Sequence, residues 1–216
     1  MRKALVSVLM IPLLLLAGCG EREAKLEKTF SDFRSSLNDA GSVAFRASLT
    51  VDTGGAAADY TLDASYDGVT TRVTVAEPSL LAGVTATARR GEASVEYGGV
   101  VVGAGALCGD GLTPVSAVPA LMEALAGGYC ELMWWDGDLP AARYYAGEDT
   151  VVTVWLDDGA PVCAEFSSDG QTIVVCRVSG WTVKPAADTD EAQNTDETPI
   201  SDAPQDTEEL PIPDEP

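Results

Sequence analysis

Residues 43–75 alternate between apolar and polar side chains with a period of two, which predicts three strands of one antiparallel sheet. The apolar positions of the first two runs are Val43, Phe45, Ala47, Leu49, Val51, Tyr60, Leu62, Ala64 and Tyr66. A two-residue turn at Asp67-Gly68, where both residues tolerate positive φ, would place Leu62 opposite Val73. The three strands then present their apolar side chains to the same face, so this face of the sheet requires a cover.

Two helices are predicted, and both could provide this cover. The first runs from Glu21 to Gly41, and its apolar residues recur at spacings of three and four. They are Leu26, Phe30, Phe33 and Leu37. We expect this helix to pack on the sheet, because a helix that lies on lipid would need a more basic polar face. The second helix is shorter, covers about residues 117–126, and has Ser116 as its cap and Pro119 in its first turn.

Alternation and turn residues predict further strands along most of the remaining chain. They lie at about 84–97 (a hairpin), 129–135, 141–145, 150–157, 161–167 and 171–179, whereas the glycine-rich segment 98–111 is predicted to be a flexible rim loop. Roughly ten strands about 4.8 Å apart form a sheet about 48 Å wide. Two helices can cover only about 20 Å of that width, so the sheet must curl around them. The predicted fold class is α+β: an incomplete β-barrel of antiparallel strands, covered by the N-terminal helix and the short inserted helix.

The first 18 residues have the layout of a bacterial export signal, with Arg2 and Lys3 before an apolar run that ends in small residues. The sequence Leu16-Ala17-Gly18-Cys19 resembles a lipobox, in which the cysteine is diacylated and becomes the first mature residue. Cys19 is therefore the predicted lipid anchor, and two acyl chains suffice for stable attachment to a membrane. We expect an exported protein attached to the outer face of the cytoplasmic membrane. The alternative is an ordinary signal peptide with a cysteine there by chance.

Four further cysteines, an even number in an exported chain, favour two disulfides. A two-residue turn at Asp169-Gly170 would place Cys163 opposite Cys176 at a distance suitable for a bridge. Cys108 would then pair with Cys130 and close the loop that holds the short helix. A three-residue turn with a glycine bulge is the alternative, and it would send Cys163 and Cys176 to opposite faces.

The chain has 34 acidic and 13 basic side chains, a net charge of −21, and no histidine. The charge argues against nucleic acid as a partner. Without histidine, the usual general base and most zinc sites are absent, so we expect no enzyme activity, no metal and no cofactor. The carboxylate pairs Asp136/Asp138 and Asp157/Asp158 are the remaining catalytic candidates, but they lie at turns, where aspartate is favoured for conformational reasons.

The chain is predicted to consist of three parts: the signal peptide 1–18, the half-barrel domain 19–181 and an acidic tail 182–216. From residue 185 onward there are eleven acidic side chains, six prolines and no basic residue. Such a segment cannot bury enough apolar surface to become ordered, so we expect it to remain solvated.

The order of the predicted elements resembles that of the LolA/LppX-type lipoproteins, which include the GerS-like germination lipoproteins. The resemblance covers about residues 21–181 and includes the segment Glu77-Pro78-Ser79-Leu80-Leu81-Ala82-Gly83 between two strands. It implies a curved sheet with a helix inserted as a lid. It also implies either transport of a lipid or a lipoprotein acyl chain inside the half-barrel, or a role as a protein partner in the envelope.

These implications define two functional hypotheses. In the first, an acyl chain lies in the half-barrel against Phe45, Leu49, Leu62, Tyr66 and Val73. In the second, the same residues form an ordinary core, and the domain holds or regulates another protein of the cell or spore envelope without any small ligand.

Overall fold

The fold is seen in a computed structural model that describes residues 2–52, 54–89, 92–106, 112–147 and 149–186, with side chains described outside 2–19 and 104–106. Two helices, α1 (Arg2–Asn38) and α2 (Pro114–Gly127), accompany eleven strands. The strands are β1 (Ala40–Asp52), β2 (Ala57–Tyr66), β3 (Thr70–Glu77), β4 (Thr85–Arg89), β5 (Glu92–Tyr97), β6 (Val100–Ala106), β7 (Cys130–Asp136), β8 (Leu139–Tyr145), β9 (Thr150–Asp157), β10 (Ala160–Ser168) and β11 (Gln171–Pro185). The last strand continues beyond the domain boundary predicted at 181.

All eleven strands form one antiparallel sheet in the order β6-β5-β4-β3-β2-β1-β11-β10-β9-β8-β7. The long strands β1 and β11 join its two halves in the middle. Strands β6 and β7 lie at opposite ends of this order, so the sheet is not closed. The predicted fold class, an incomplete barrel with an N-terminal helix and a short inserted helix, is confirmed.

Strand β6 differs from the prediction, which was a loop over residues 98–111. A two-residue turn at Gly98-Gly99, with φ of 58° and 83°, reverses the chain after β5. Val100 then pairs with Tyr97, and the pairing continues to Ala106. Only glycine adopts two successive positive φ values at little cost, so this pair marks a hairpin turn.

The register of β2 and β3 differs from the prediction by two residues. Leu62 pairs with Val75 instead of Val73, because the loop consists of Gly68-Val69 rather than Asp67-Gly68. The Asp67 carboxylate accepts hydrogen bonds from the backbone N–H groups of the second and third residues after it, at 3.0 and 2.7 Å, and so forms the turn one position later. A shift of two residues leaves every side chain on its predicted face.

The inner face of the sheet and the apolar sides of both helices form one core. The predicted stripe of α1 is confirmed, since Leu26, Phe30, Phe33 and Leu37 are all buried in it. Trp181 of β11 contacts the rings of Phe33 and Phe45, with ring centroids 6.1 and 5.0 Å apart. This tryptophan therefore joins α1 to the centre of the sheet.

The helix ends differ from the prediction. Helix α2 begins at Pro114 with Thr113 as its cap, and Ser116, the predicted cap, is the other member of a reciprocal capping box. Pro119 consequently lies inside the helix instead of in its first turn. Gly41 does not end α1. It lies in β1, where an added Cβ would be 2.5 Å from backbone atoms of Pro185 and Ala186.

Candidate partner and ligand sites

The five residues predicted to line a ligand space lie on the inner face of β1, β2 and β3. Phe45, Leu49, Leu62, Tyr66 and Val73 are between 0% and 7% exposed. All five belong to the same core cluster as the buried residues of α1 and α2. They pack as core side chains, and a contact with an acyl chain remains a prediction.

Helix α2 lies over this core and is held there by α1. Of its residues, Val118, Leu121, Met122 and Leu125 are at most 1% exposed. At its C-terminal end, the Arg34 guanidinium donates hydrogen bonds to the carbonyls of Leu125 at 3.0 Å and Gly128 at 2.9 Å. Backbone carbonyls at a helix end have no partners within the helix, so a cation here satisfies them and complements the helix dipole.

A cleft of about 520 Å³ opens beside α2 at the β2–β3 turn. Its lining consists of Tyr66, Gly68, Val69, Thr71, Ala88, Glu123 and Ala126. Tyr66 is the one predicted lining residue among them, and its hydroxyl donates a hydrogen bond to the Gly68 carbonyl at 2.8 Å. Burial, and then the nearby carboxylates of Asp67 and Glu123, raise the pKa of Tyr66, so the phenol stays protonated.

A group of exposed and half-buried large side chains lies on the outer face of the sheet and just before β7. We name this group, which comprises Tyr129, Leu132, Trp134, Arg143 and Tyr145, the outer aromatic patch. Tyr129 and Tyr145 stack with ring centroids 6.0 Å apart, and Tyr129 is 72% exposed. The Arg143 guanidinium lies over the Trp134 ring, 5.7 Å from its centroid. Tyrosine, tryptophan and arginine are the residues most enriched at the centres of protein–protein interfaces.

Arg143 has no acceptor for its inward-facing N–H. Its Nε atom is buried and lacks a hydrogen-bond partner among the described residues. Among the described residues, Arg46 forms an ion pair with Asp63 and Arg72 forms one with Glu96. No ion pair of Arg143 is found among these residues. Within the described residues, the outer aromatic patch therefore contains a cation with no carboxylate in ion-pair contact.

A second exposed apolar surface is the edge strand β6. Its first three residues, Val100, Val101 and Val102, are 64%, 64% and 59% exposed. The residues that follow, through Ala106, carry neither charge nor proline. Edge strands in soluble proteins are usually protected by charge, proline or a covering element, and none of these is found at β6 among the described residues, so this strand is a candidate site of association.

The predicted pairing of Cys163 with Cys176 is wrong in this register. The turn at Asp169-Gly170 is as predicted, with both residues at positive φ, but the register shifts between Phe166 and Ser167. Cys176 therefore pairs with Ala164 and points into the core, whereas Cys163 lies on the other face. The described cysteines 130, 163 and 176 are free thiols. The predicted partner of Cys130 is Cys108, which lies outside the described residues.

The thiols differ in acidity because they differ in burial. Desolvation, with a smaller effect from the neighbouring Cys163, raises the pKa of Cys176 to about 12. Desolvation also raises the pKa values of Cys130 and Cys163. A thiol with a raised pKa contains little of the reactive thiolate at neutral pH, so none of the three has the properties of a nucleophile.

One member of each predicted carboxylate pair has a structural role. Asp136 accepts a hydrogen bond of 2.8 Å from the indole N–H of Trp155. Asp158 has φ of 46° and forms a hairpin turn with Gly159. Among the described side chains, no group of three or more His, Cys, Asp or Glu residues could hold a metal ion.

Anchoring at Cys19 remains a prediction; the residue lies within the span of α1, and its side chain is outside the described ones. In the part of the chain searched, no helix combines the length and hydropathy required to span a membrane.

Comparison with known proteins reveals similarity of fold. No protein-family model matches the sequence, and no curated protein matches it significantly. Among solved structures, a LolA superfamily protein from Nitrosomonas europaea is 12% identical, with 71% of this chain and 93% of that chain covered and a TM-score of 0.43. The lipoprotein LppX of Mycobacterium tuberculosis is 12% identical, with coverages of 73% and 95% and a TM-score of 0.37. The complex of the CwlD amidase with the GerS lipoprotein from Clostridioides difficile contains a chain that is 16% identical, with coverages of 66% and 86% and a TM-score of 0.34. The predicted LolA/LppX-like resemblance is confirmed for the fold, and similarity at these identities concerns the fold alone.

Proposed function

We propose that this chain is a non-enzymatic, membrane-anchored extracytoplasmic module that binds another protein of the cell envelope. One observation supports this most strongly: the interior of the half-barrel is occupied by the chain's own side chains, while large apolar side chains are exposed elsewhere. A scaffold needs a solid interior and an exposed contact surface, and the outer aromatic patch has the composition of such a surface.

The anchor belongs to the same proposal. Diacylation of Cys19 after removal of residues 1–18 would hold the domain at the outer face of the cytoplasmic membrane. Restriction to the membrane surface raises the effective concentration of an envelope partner, so a modest interface suffices there. Metabolic labelling with an alkyne fatty acid tests this step. The wild-type chain should be labelled and Cys19→Ala should not, whereas equal labelling of both would contradict it.

Photo-crosslinking in cells tests partner binding. A benzoylphenylalanine replaces Tyr145 in the outer aromatic patch, and Ser48 of β1 is the matched control, because it is also exposed on a strand. We expect one protein adduct from position 145 and none of that mass from position 48. An identical adduct pattern from both positions would contradict a specific interface.

Acyl-chain binding is the second candidate, and the cleft beside α2 is the observation that favours it. Its volume of about 520 Å³ would accommodate part of an acyl chain without opening the core. Ala126→Trp should fill this cleft and abolish uptake of a fluorescent fatty acid, whereas Gly127→Trp, on the adjacent exposed residue, should not. Absence of a co-purifying lipid in native mass spectrometry, together with absence of uptake, would exclude this candidate.

A further inference from the structure

The two ends of the sheet are protected to different extents. Strand β7 carries the charged residues Glu131 and Asp136, and it is held against α1 by a hydrogen bond from the Trp135 indole to the Arg22 carbonyl at 3.1 Å. Strand β6 has a single neighbouring strand within the described part of the chain and no charged residue. Charge is one of the main means by which proteins prevent edge pairing, and it is present at only one of these two ends.

The backbone of β6 offers hydrogen bonds in a known direction. The two-residue turn at Gly98-Gly99 makes Tyr97 and Val100 a hydrogen-bonded pair, and the next such pair is Val95 with Val102. The N–H and C=O of the intervening Val101 therefore point away from β5. Gly103 occupies the next position of this kind, and no atom lies within 4 Å of the place where its Cβ would be.

The apolar inner face of the sheet ends at this edge in an exposed side chain. One row of cross-strand neighbours runs Val73, Ala86, Val95 and Val102. The first two are 0% and 4% exposed, Val95 is half-buried, and Val102 is 59% exposed. Burial thus declines stepwise toward the edge. One more strand with an apolar side chain beside Val102 would continue this layer.

We propose that β6 receives an extended segment of the partner protein as an added strand, with apolar residues on its inner face and basic residues on its outer face. This inference rests on the proposed function and names the kind of segment that is bound. A basic segment is favoured over a second copy of the chain, because two copies would bring net charges of −21 together. On the outer face the neighbour of Val101 is Glu96, whose contact with Arg72 is 3.8 Å long. A lysine or arginine of an added strand, reaching over Val101, would approach the same carboxylate.

A labelled probe peptide tests the inference on the full chain. The probe is about eight residues long, alternates valine with lysine and has blocked ends, as expected for recognition by strand addition. Val101→Pro removes the N–H that points away from β5 and leaves the backbone hydrogen bonds to β5 in place. The affinity of this variant for the peptide should fall about tenfold, the effect of one lost hydrogen bond. Val101→Thr, which keeps the N–H and the strand propensity, should bind within about twofold of wild type.

A second experiment changes the peptide instead of the protein, so its result does not depend on whether a variant folds. The same peptide, N-methylated at alternate residues on its bonding edge, keeps its charge and side chains but cannot donate to β6. The wild-type chain should not bind it. Equal affinity for both peptides, or equal affinity of Val101→Pro and Val101→Thr for the unmodified peptide, would overturn strand addition and indicate charge attraction alone.

The in-cell adduct from position 145 separates this inference from the proposed function. A fall in adduct yield in the Val101→Pro chain, with an unchanged yield in Val101→Thr, is expected if the partner that contacts the outer aromatic patch is also held at β6. An adduct of unchanged yield in Val101→Pro would overturn strand addition and leave the proposed function standing. If no adduct forms in any of these chains, the proposed function fails.

Discussion

Replacement of Arg34 tests how firmly the short helix is attached to the domain. This side chain reaches from α1 to the C-terminal carbonyls of α2, with bonds of 3.0 Å to Leu125 and 2.9 Å to Gly128. A third, to the Ala124 carbonyl, is longer at 3.4 Å and contributes little. The guanidinium carbon also lies 5.6 Å from the centroid of the Tyr144 ring.

The expected loss of stability follows from these contacts. Each short bond from a half-exposed cation contributes about 1 kcal/mol, and the charge at a helix C-terminus adds about 0.5 kcal/mol. Arg34→Ala should therefore lower the free energy of unfolding by about 2–3 kcal/mol, with the carbonyls left unsatisfied as part of that cost. Arg34→Lys keeps the charge but loses the planar fork, and should lose about half as much.

Urea unfolding followed by tryptophan fluorescence measures this loss, since Trp181 lies in the core that α1 covers. Lys28→Ala is the matched control on the same helix. Its ion pair with Asp32 is 2.7 Å long but exposed on both sides, so its removal should cost about 0.3–0.5 kcal/mol. The proposed attachment of α2 would be refuted if Arg34→Ala and Lys28→Ala were equally destabilising.

Three further predictions concern close packing and the two groups with strongly raised pKa values. Gly128→Ala should destabilise the domain by about 1–3 kcal/mol in the same urea assay, because the added Cβ would lie 2.6 Å from the Ala124 carbonyl oxygen. At Gly127 an added Cβ would meet open space, so Gly127→Ala should be neutral or slightly stabilising. Burial raises the pKa values of both Cys176 and Tyr144 to about 12. The folded state then holds these protons more tightly than the unfolded state, so the contribution of these two groups to the free energy of unfolding should be constant below about pH 9, the ordinary pKa of the thiol, and fall as pH rises toward 12. Cys176→Ala and Tyr144→Phe should each reduce that slope, and an unchanged slope in both would contradict the assignment. Cys176 should also react with iodoacetamide at pH 8 only as fast as the domain unfolds, and labelling as rapid as that of Cys163 would show that it is not buried.

The faces of the strands could be predicted from the sequence, but their registers could not. A period of two assigns each residue of β1, β2 and β3 to a face, and these assignments are confirmed by burial. Which residues pair depends on which atoms close the turn. At the β2–β3 turn the Asp67 carboxylate determines this, and a pattern of apolar residues contains no information about that choice.

The cysteine pairing was wrong for a related physical reason. The turn at Asp169-Gly170 has the geometry that Asp-Gly predicts, but a bulge two residues further on shifts the register by one. One such shift moves Cys176 to the face opposite Cys163. In contrast, a signal for β6 was present in the sequence, because Gly98-Gly99 separates two valine-containing runs as a hairpin turn does.

The packing of α2 also limits how a ligand could enter the half-barrel. If α2 moved away to admit an acyl chain, it would expose Val118, Leu121, Met122 and Leu125, all at most 1% exposed. Each such side chain is stabilised by about 1.5–3 kcal/mol through burial, so opening would cost about 6–12 kcal/mol before the bonds of Arg34 are counted. An acyl chain of about 16 carbons gains about 0.8 kcal/mol for each buried CH₂, about 13 kcal/mol, which is comparable to that cost once the bonds of Arg34 are included.

Binding at the surfaces already exposed involves no such opening. The outer aromatic patch and β6 require no displacement of α2, and contact with a partner would remove apolar area from water. An acyl chain that does bind is therefore expected in the cleft beside α2, where Tyr66 and Ala126 are its neighbours, and not among Phe45, Leu49, Leu62 and Val73. The stability of the helix attachment and the site of any lipid are consequently linked: if Arg34→Ala left stability unchanged, only the burial of the apolar side chains of α2 would oppose the entry of a ligand into the central core.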